Sequence, residues 1–290
     1  MAPIPSSPRI VCYHQTQFLH DDTYVSVLPL VTEATGTTHL MVAAFHLNDN
    51  PGDITLNNDP PSTSKYDRLW EETETLQFSG VKVLAMLGGA AKGTFTRLDK
   101  DEATFEFFYL PLRDILRKYK FDGVDFDVEE HMSLDGIVRL IDRVHADFGP
   151  DFIITLAPVA PALTQGRNLS GFDYEALEVM HGSKISWYNT QFYCGWGSLG
   201  SPAQYQGIIR YGWPSHKVVA GAVTNPENGS GFIPLDMLKD TMVFLQALNS
   251  QFGGVMGWEY FNSLGPEEKK GEPWEWSKTL AIAMGLPRGE

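Results

Sequence analysis

The ten residues FDGVDFDVEE, at positions 121–130, decide how the fold and the chemistry of this chain are read. Half of them are carboxylates, but single apolar residues separate the central acids, unlike a solvated acidic surface. Side chains of a β-strand alternate between its two faces, so Asp125, Asp127 and Glu129 share one face and the apolar residues share the other. Such a strand suits a closed barrel, with its apolar face against helices and its acids directed into the interior.

Seven further apolar, β-branched runs recur along the chain, and most of the stretches between them have helical periodicity. The predicted strands are 9–15, 38–47, 81–87, 121–129, 152–159, 185–193, 217–223 and 254–260. The predicted helices are 24–34, 63–79, 105–119, 137–148, 172–182, 202–212, 234–252 and 274–285. Eight such units in one chain predict an α/β fold, a single (β/α)8 TIM barrel. A doubly wound open sheet is the alternative.

Two connections between strands bear on the organisation of the barrel. Residues 224–253, between the last two strands, are nearly filled by one predicted helix, so we expect no inserted α+β domain. Residues 48–64 form the longest irregular stretch and follow the second strand, at the end of the barrel where such folds carry function. No linker divides the chain, so we expect residues 1–8 to be an N-terminal tail and residues 9–290 one catalytic barrel.

Composition excludes several classes of partner. The net charge of −14 argues against nucleic acid, and no 18-residue apolar run is present to span a membrane. Cys12 and Cys194 do not make a disulfide framework, and the first residues lack the features of a signal peptide. We therefore expect a cytoplasmic monomer without a cofactor. The sequons at Asn168 and Asn228 favour the alternative, a secreted protein whose leader has been removed.

The acidic row has a chemical consequence. Same-face neighbours on a strand lie about 7 Å apart, which costs about 2.4 kcal/mol per charged pair at an effective dielectric constant near 20. Asp125, Asp127 and Glu129 will therefore share protons, and a protonated carboxyl at the mouth of the barrel is a general acid. The alternative is pairing with basic residues, but the predicted strands offer only Arg9 and Lys82, both at strand starts.

Two neighbouring acids have the opposite parity. Glu130 is expected to be a loop residue that points away from the interior. Asp122 is expected to have a structural role, such as a hydrogen bond to a backbone amide in a turn. His131 adds a metal-ligand type, but only the three same-face acids converge, so we expect no metal site.

The pattern Asp122-x-x-Asp125-x-Asp127-x-Glu129 on the fourth strand resembles the signature of glycoside hydrolase family 18. The strings GGAA (88–91), ITLAPVA (154–160), WYNTQFY (187–193) and GGVMGWEYFNSLG (253–265) resemble its small fungal endo-β-N-acetylglucosaminidases. The resemblance implies substrate-assisted retaining catalysis. Glu129 would protonate the glycosidic oxygen while the 2-acetamido carbonyl attacks to form an oxazolinium ion. Asp127 would orient the acetamide and stabilise its charge, and Asp125 would modulate Asp127.

The resemblance also implies roles for residues on other strands. Tyr193 resembles the tyrosine whose hydroxyl binds the acetamido oxygen, with Gln191 as a polar partner beside it. Trp258 resembles the tryptophan that forms the floor of the sugar site, where an aromatic face meets the C–H face of the ring. Tyr13 and Phe45, near the ends of the first two strands, are candidates for walls of the same pocket, although core packing explains them equally well.

The chain departs from the wider family at two positions. Met86 occupies the place of a serine on the third strand, and Cys194 follows the tyrosine where many chitinases have aspartate. Without an inserted α+β domain the cleft should be open, and an open cleft suits a bulky branched glycan. We therefore expect cleavage of the β-1,4 bond in the N,N′-diacetylchitobiose core of N-glycoproteins or free N-glycans, with transglycosylation as a second outcome. The alternatives are a chitinase acting on chitin oligomers and a catalytically silent carbohydrate-binding barrel.

Overall fold

The computed structural model describes residues 8–287, so all but one residue of the expected N-terminal tail, residues 1–8, lies outside the described residues. Within 8–287, eight parallel strands close into a barrel, because β1 pairs with both β2 and β9. The barrel strands are β1 (Arg9–His14), β2 (His39–Leu47), β4 (Lys82–Gly88), β5 (Gly123–Asp127), β6 (Ile153–Leu156), β7 (Trp187–Gln191), β8 (Val218–Val223) and β9 (Gly254–Trp258). The predicted (β/α)8 barrel is confirmed, and the open-sheet alternative is wrong.

Helices cover the outside of the barrel. They are α1 (Pro29–Thr32), α2 (Asp67–Phe78), α3 (Thr94–Leu98), α4 (Glu102–Lys118), α5 (Leu134–Phe148), α6 (Tyr174–His181), α7 (Ala203–Tyr211), α8 (Leu235–Leu248) and α9 (Glu275–Ala283). The prediction for 24–34 was too long, because only four of those residues are helical. The short helix α3 was not predicted. Within 8–287, no helix combines the length and the hydropathy needed to cross a bilayer.

The irregular stretch after β2 contains an element that the sequence did not reveal. Ile54–Leu56 forms a short strand, β3, which pairs antiparallel with the end of β2 and makes a hairpin. Tyr66 is buried and its hydroxyl donates to the carbonyl of Leu56 at 2.7 Å. The predicted irregular stretch thus contains a short hairpin strand, and the rest of it consists mainly of turns and bends at the mouth of the barrel.

The bottom of the barrel is closed by a buried cation. The guanidinium of Arg9 donates to the carbonyls of His216 (2.9 Å) and Gly253 (3.2 Å) and lies 4.2 Å from the ring centre of Trp187. Burial lowers the pKa of Arg9 to about 10. Arg9 is thus satisfied at the amino-terminal end of the strands, and the acids at the other end must find different partners.

Candidate active site

Three acids line up on β5 and its extension. Asp125 and Asp127 lie within the strand, and Glu129 follows its end by two residues. Asp125 is fully buried, Asp127 is buried, and Glu129 is half-buried in the wall of an open cleft. The structure thus places all three on the interior face, with exposure increasing toward the mouth.

Asp125 is held by three donors from three strands. The hydroxyls of Tyr13 (2.7 Å) and Thr155 (2.5 Å) and the amide of Asn189 (3.1 Å) all donate to its carboxylate. The indole N–H of Trp187 donates to the amide oxygen of Asn189 at 2.8 Å, which fixes the orientation of that amide. Burial raises the pKa of Asp125, and the three hydrogen bonds oppose the rise. The donors therefore favour the anion at Asp125 over the anion at its neighbour.

Asp127 has the opposite environment. Burial, then the charge of Glu129, then that of Asp125 raise its pKa well above the usual value. The side-chain amide of Gln191 donates to Asp127 (3.2 Å), to Glu129 (3.3 Å) and to the carbonyl of Ala157 (3.0 Å). One NH2 group is thus shared among three acceptors, so it stabilises the Asp127 anion only weakly. Asp127 is therefore more easily protonated than Asp125, as expected for acids that titrate as a coupled set.

A cleft of about 440 Å³ opens above the acids. Tyr193 lines it and is buried close to Asp127 and Glu129; burial first, then the charge of Asp127, raise the pKa of its phenol well above the usual value, so the hydroxyl keeps its proton. Trp258, at the end of β9, is half-buried in the cleft wall. The indole lies 5.5 Å from the ring of Tyr13, centroid to centroid.

Two glycines bring the end of β4 close to the acids. Gly88 and Gly89 both have positive φ, 96° and 93°. A Cβ on Gly88 would lie 2.6 Å from the carbonyl oxygen of Asp127, and one on Gly89 would lie 3.0 Å from the methyl of Met86. The amide of Gly89 donates to that same carbonyl of Asp127 at 2.8 Å. A side chain at Gly88 would push the strand away from Asp127, and the positive φ of Gly89 disfavours a side chain there as well.

Tyr13 and Phe45 do not line the cleft. Tyr13 is buried one layer below it, where it holds Asp125 and contacts Trp258. Phe45 is a correction: it is fully buried outside the barrel, with its ring perpendicular to that of Phe121 at 5.7 Å. The register of β2 shifts between Val42 and Phe45, so Ala43 and Ala44 both face the interior and every later side chain changes face.

This shift also explains two of the wall residues that sequence reasoning missed. Ala44, within the irregularity, and His46, just after it, line the cleft, as does Gln15 just after β1. Trp196 and Asn228 contribute from the segments after β7 and β8. All lie at or beyond the carboxyl ends of barrel strands, which is the signal that could have identified them.

The two acids of opposite parity serve the scaffold. Glu130 is buried and accepts from the amides of Gly93 (2.8 Å) and Phe95 (2.7 Å), so it holds the start of α3. Asp122 accepts from the amide of Val83 at 2.9 Å, as expected for a structural role. Within 8–287, no group of three or more His, Cys, Asp and Glu side chains is placed to hold a metal ion.

The chain is similar to known glycosidases over most of its length. A sequence profile described as "Glycosyl hydrolases family 18" matches residues 9–227. An acidic endochitinase of Phaseolus angularis is 26% identical over 262 residues, covering 82% of this chain and 77% of that protein.

Two solved structures are similar over nearly the whole chain. The chitinase ChiC of Aspergillus fumigatus is 52% identical with a TM-score of 0.88, covering 96% of this chain and 99% of that chain. A fungal endo-β-N-acetylglucosaminidase from glycosyl hydrolase family 18 is 48% identical with a TM-score of 0.90, covering 95% of this chain and 98% of that chain. One of these similar structures is named a chitinase and the other an endo-β-N-acetylglucosaminidase.

Proposed function

This chain belongs to glycosyl hydrolase family 18 and is a glycosidase, and we propose that it is an endo-β-N-acetylglucosaminidase. Its substrate is the N,N′-diacetylchitobiose core of N-glycans, and the cleaved β-1,4 bond leaves one GlcNAc on the asparagine. The observation that carries the proposal is the row of acids under an open cleft, with a half-buried carboxyl, Glu129, beside a buried acid, Asp127, whose pKa is raised by burial and by the charges of Glu129 and Asp125.

The row of acids supplies both the proton and the negative charge that the reaction needs. Glu129 donates its proton to the glycosidic oxygen while the 2-acetamido carbonyl oxygen of the sugar attacks the anomeric carbon. Asp125 and Asp127 share one proton because two adjacent buried anions repel. When that proton lies on Asp125, the Asp127 anion accepts from the acetamido N–H and stabilises the oxazolinium ion. Water then opens this ion, with Glu129 as the base, so the configuration is retained.

Other residues hold the sugar in place. The protonated hydroxyl of Tyr193 donates to the acetamido carbonyl and orients it for attack. The indole of Trp258 provides an apolar surface for the ring. Substrate-assisted attack requires the acetamide and the anomeric carbon to meet in one conformer, and fixing that conformer contributes directly to rate.

The open side of the cleft supports a branched substrate. Residues 224–253, between β8 and β9, contain α8 (Leu235–Leu248) and a short 3₁₀ turn at Pro226–Asn228. They carry no added sheet that would deepen the site into a tunnel for a linear polymer. The second candidate is hydrolysis of chitin oligomers, which the 52% identity to a protein named chitinase favours.

The test is mass spectrometry of the products from a glycopeptide that carries a single defined N-glycan. We expect the peptide to retain one GlcNAc and the glycan to be released with a reducing GlcNAc. The Glu129→Gln variant is the control, since it keeps the shape of the side chain and removes the acid. Hydrolysis of chitotetraose without any cleavage of the glycopeptide would refute the proposal in favour of the chitinase. Sugar binding without hydrolysis of either substrate would indicate the silent barrel.

A further inference from the structure

A second cavity, of about 630 Å³, lies beside the cleft at the ends of β1, β2 and β4. We call it the hairpin pocket, because residues of the β2–β3 hairpin and its turn line it. Gln15, His46 and Ala91 line both the hairpin pocket and the cleft, so the two spaces lie side by side at the mouth of the barrel. A ligand that fills the cleft therefore has room to extend into the hairpin pocket.

The wall of the hairpin pocket is rigidly built. Asn57, in the left-handed region at φ 55°, donates to the carbonyl of Gln15 (2.8 Å) and to the side-chain oxygen of Gln17 (2.7 Å). Its own oxygen accepts from the amide of Ala44 at 3.3 Å. Gln17 is buried and donates to two barrel carbonyls, each at 2.8 Å. A pocket formed before the ligand arrives spares the ligand the cost of ordering it.

The lining favours a neutral, hydroxyl-rich ligand. Asn48, Thr55 and Asn58 present amides and a hydroxyl, groups that both donate and accept hydrogen bonds. The cations Lys65 and Arg97 are paired with acids, Asp59 and Asp49, so most of the charge is already neutralised. The third cation of the lining, Lys92, is exposed to solvent, where water and salt screen its charge.

His46 lies in the wall that the two spaces share. Its Nδ1 is buried and has no hydrogen-bond partner among the residues that the structure describes. Burial lowers the pKa of this histidine, so the ring is neutral. The neutral ring adds no charge to the wall that the two spaces share.

We propose that the hairpin pocket binds a neutral hexose branch of the substrate while the cleft holds the sugar whose bond is cleaved. This inference rests on the proposed function, because a branched N-glycan extends in two directions from its core. The hairpin pocket would then select branched glycans over chains that carry no branch.

Asn58→Trp tests the assignment, because Asn58 is exposed, lines the hairpin pocket and makes no side-chain hydrogen bond within 8–287. The substrates are a glycopeptide with a branched oligomannose glycan and the same glycopeptide trimmed to one mannose on the chitobiose. We expect kcat/KM on the branched substrate to fall roughly tenfold through KM, with a several-fold smaller loss on the trimmed one. Asp53→Trp is the matched control, being exposed on the same hairpin but outside the lining.

Equal losses on the two glycopeptides, or no loss on the branched one, would overturn the assignment. Failure of the proposed function would look different, since the wild type would then cleave chitin oligomers and neither glycopeptide. In that case, a loss of kcat/KM in Asn58→Trp that is confined to longer chitin oligomers would show that the hairpin pocket binds a linear chain. That result would also refute binding of a hexose branch there.

A separate observation concerns the sequon at Asn228. Both ends of this side-chain amide are occupied: it donates to the carbonyl of Trp258 (3.2 Å) and to Asn262 (2.9 Å), and it accepts from the amide of Asn262 (2.8 Å). Thr224 also accepts from it, at 3.2 Å. We infer that Asn228 is a positioning residue for Trp258 in the cleft and not an acceptor for a glycan.

Asn228→Asp replaces the donating NH2 by an oxygen that faces the carbonyl of Trp258. We expect KM to rise roughly tenfold with a smaller change in kcat, because the sugar floor is misplaced while the acids are not. Ser230→Ala is the control: it removes the sequon, and among residues 8–287 only the backbone carbonyl of Ser230 makes a hydrogen bond, with the amide of Cys194. An unchanged KM in Asn228→Asp, or a glycan on Asn228 after expression in a glycosylating host, would overturn the inference.

Discussion

Removing one hydroxyl at the base of the site should move the pH dependence of the reaction. The hydroxyl of Tyr13 donates to buried Asp125 at 2.7 Å, and Tyr13→Phe deletes that donor without changing the ring. The hydrogen bond stabilises the ionised carboxylate, so its loss makes Asp125 easier to protonate. The acid limb of kcat/KM reports the second protonation of the Asp125–Asp127 pair, because Asp127 must be an anion for the reaction.

The magnitude follows from the number and kind of donors. A hydrogen bond to a charged group contributes about 1.5–3 kcal/mol, and each pKa unit corresponds to about 1.4 kcal/mol. Loss of one of the three donors therefore raises the pKa of the pair by about 1–2 units. The sign is fixed, since losing a donor to the anion can only raise this pKa, so the acid limb moves toward neutral pH.

The assay is kcat/KM on a glycopeptide, or on a chitin oligomer if that is the substrate, measured across pH for both proteins. Tyr205→Phe is the matched control: Tyr205 is also buried, but its hydroxyl donates to the carbonyls of Ser215 (3.2 Å) and Val218 (2.9 Å) at the other end of the barrel. An equal loss at every pH in Tyr13→Phe, without movement of the acid limb, would refute the role assigned to this contact.

Four other variants test separate parts of the structure. Glu129→Gln should lower hydrolysis by roughly 10²–10⁴-fold with an unchanged circular dichroism spectrum; retained turnover would place the acid elsewhere. Asp127→Asn should lose hydrolysis yet still transfer from a preformed sugar oxazoline, and an oxazoline assay without transfer product would contradict its role. His14 is fully buried and burial lowers its pKa to about 3, from an ordinary value of 6.5, so the unfolded chain takes up a proton that the folded protein does not. The stability that comes from keeping His14 neutral is complete above pH 6.5 and is lost as the pH falls toward 3. The free energy of unfolding of the wild type in urea, measured relative to that of His14→Phe, should therefore drop by about 1.4 kcal/mol per pH unit between pH 6 and 4. A difference between the two proteins that stays constant with pH would contradict this. Phe45→Ala should lower the free energy of unfolding by about 3–5 kcal/mol because it leaves a cavity in the core outside the barrel, with KM unchanged in the protein that remains folded. A raised KM would indicate that Phe45 lines the cleft after all.

Much of the architecture could be predicted from local pattern. The alternation of acids and apolar residues in 121–130 requires a strand with two unlike faces, whatever surrounds it. Repetition of short apolar runs between helical stretches predicts the barrel, since each run has to be covered on the outside. Asp127, Glu129 and Tyr193 could be assigned to one cavity by parity and position along their strands alone.

Contacts across strands could not be predicted in the same way. Thr155 and Asn189 hold Asp125 because of the register between strands, and Thr155 is the residue paired with Asp125 on β6. Glu130 looks like any loop acid until α3 places the amides of Gly93 and Phe95 against it.

The register shift in β2 shows most clearly what the tertiary structure alone decides. Strict alternation from Met41 puts Phe45 inside the barrel, whereas the structure puts it outside and brings Ala44 and His46 to the cleft. Period-two alternation is a property of one strand and can be read from its own residues. Where a strand slips against its neighbour depends on the side chains of both strands and on the hairpin that follows, so the faces of β2 beyond the slip are set by packing.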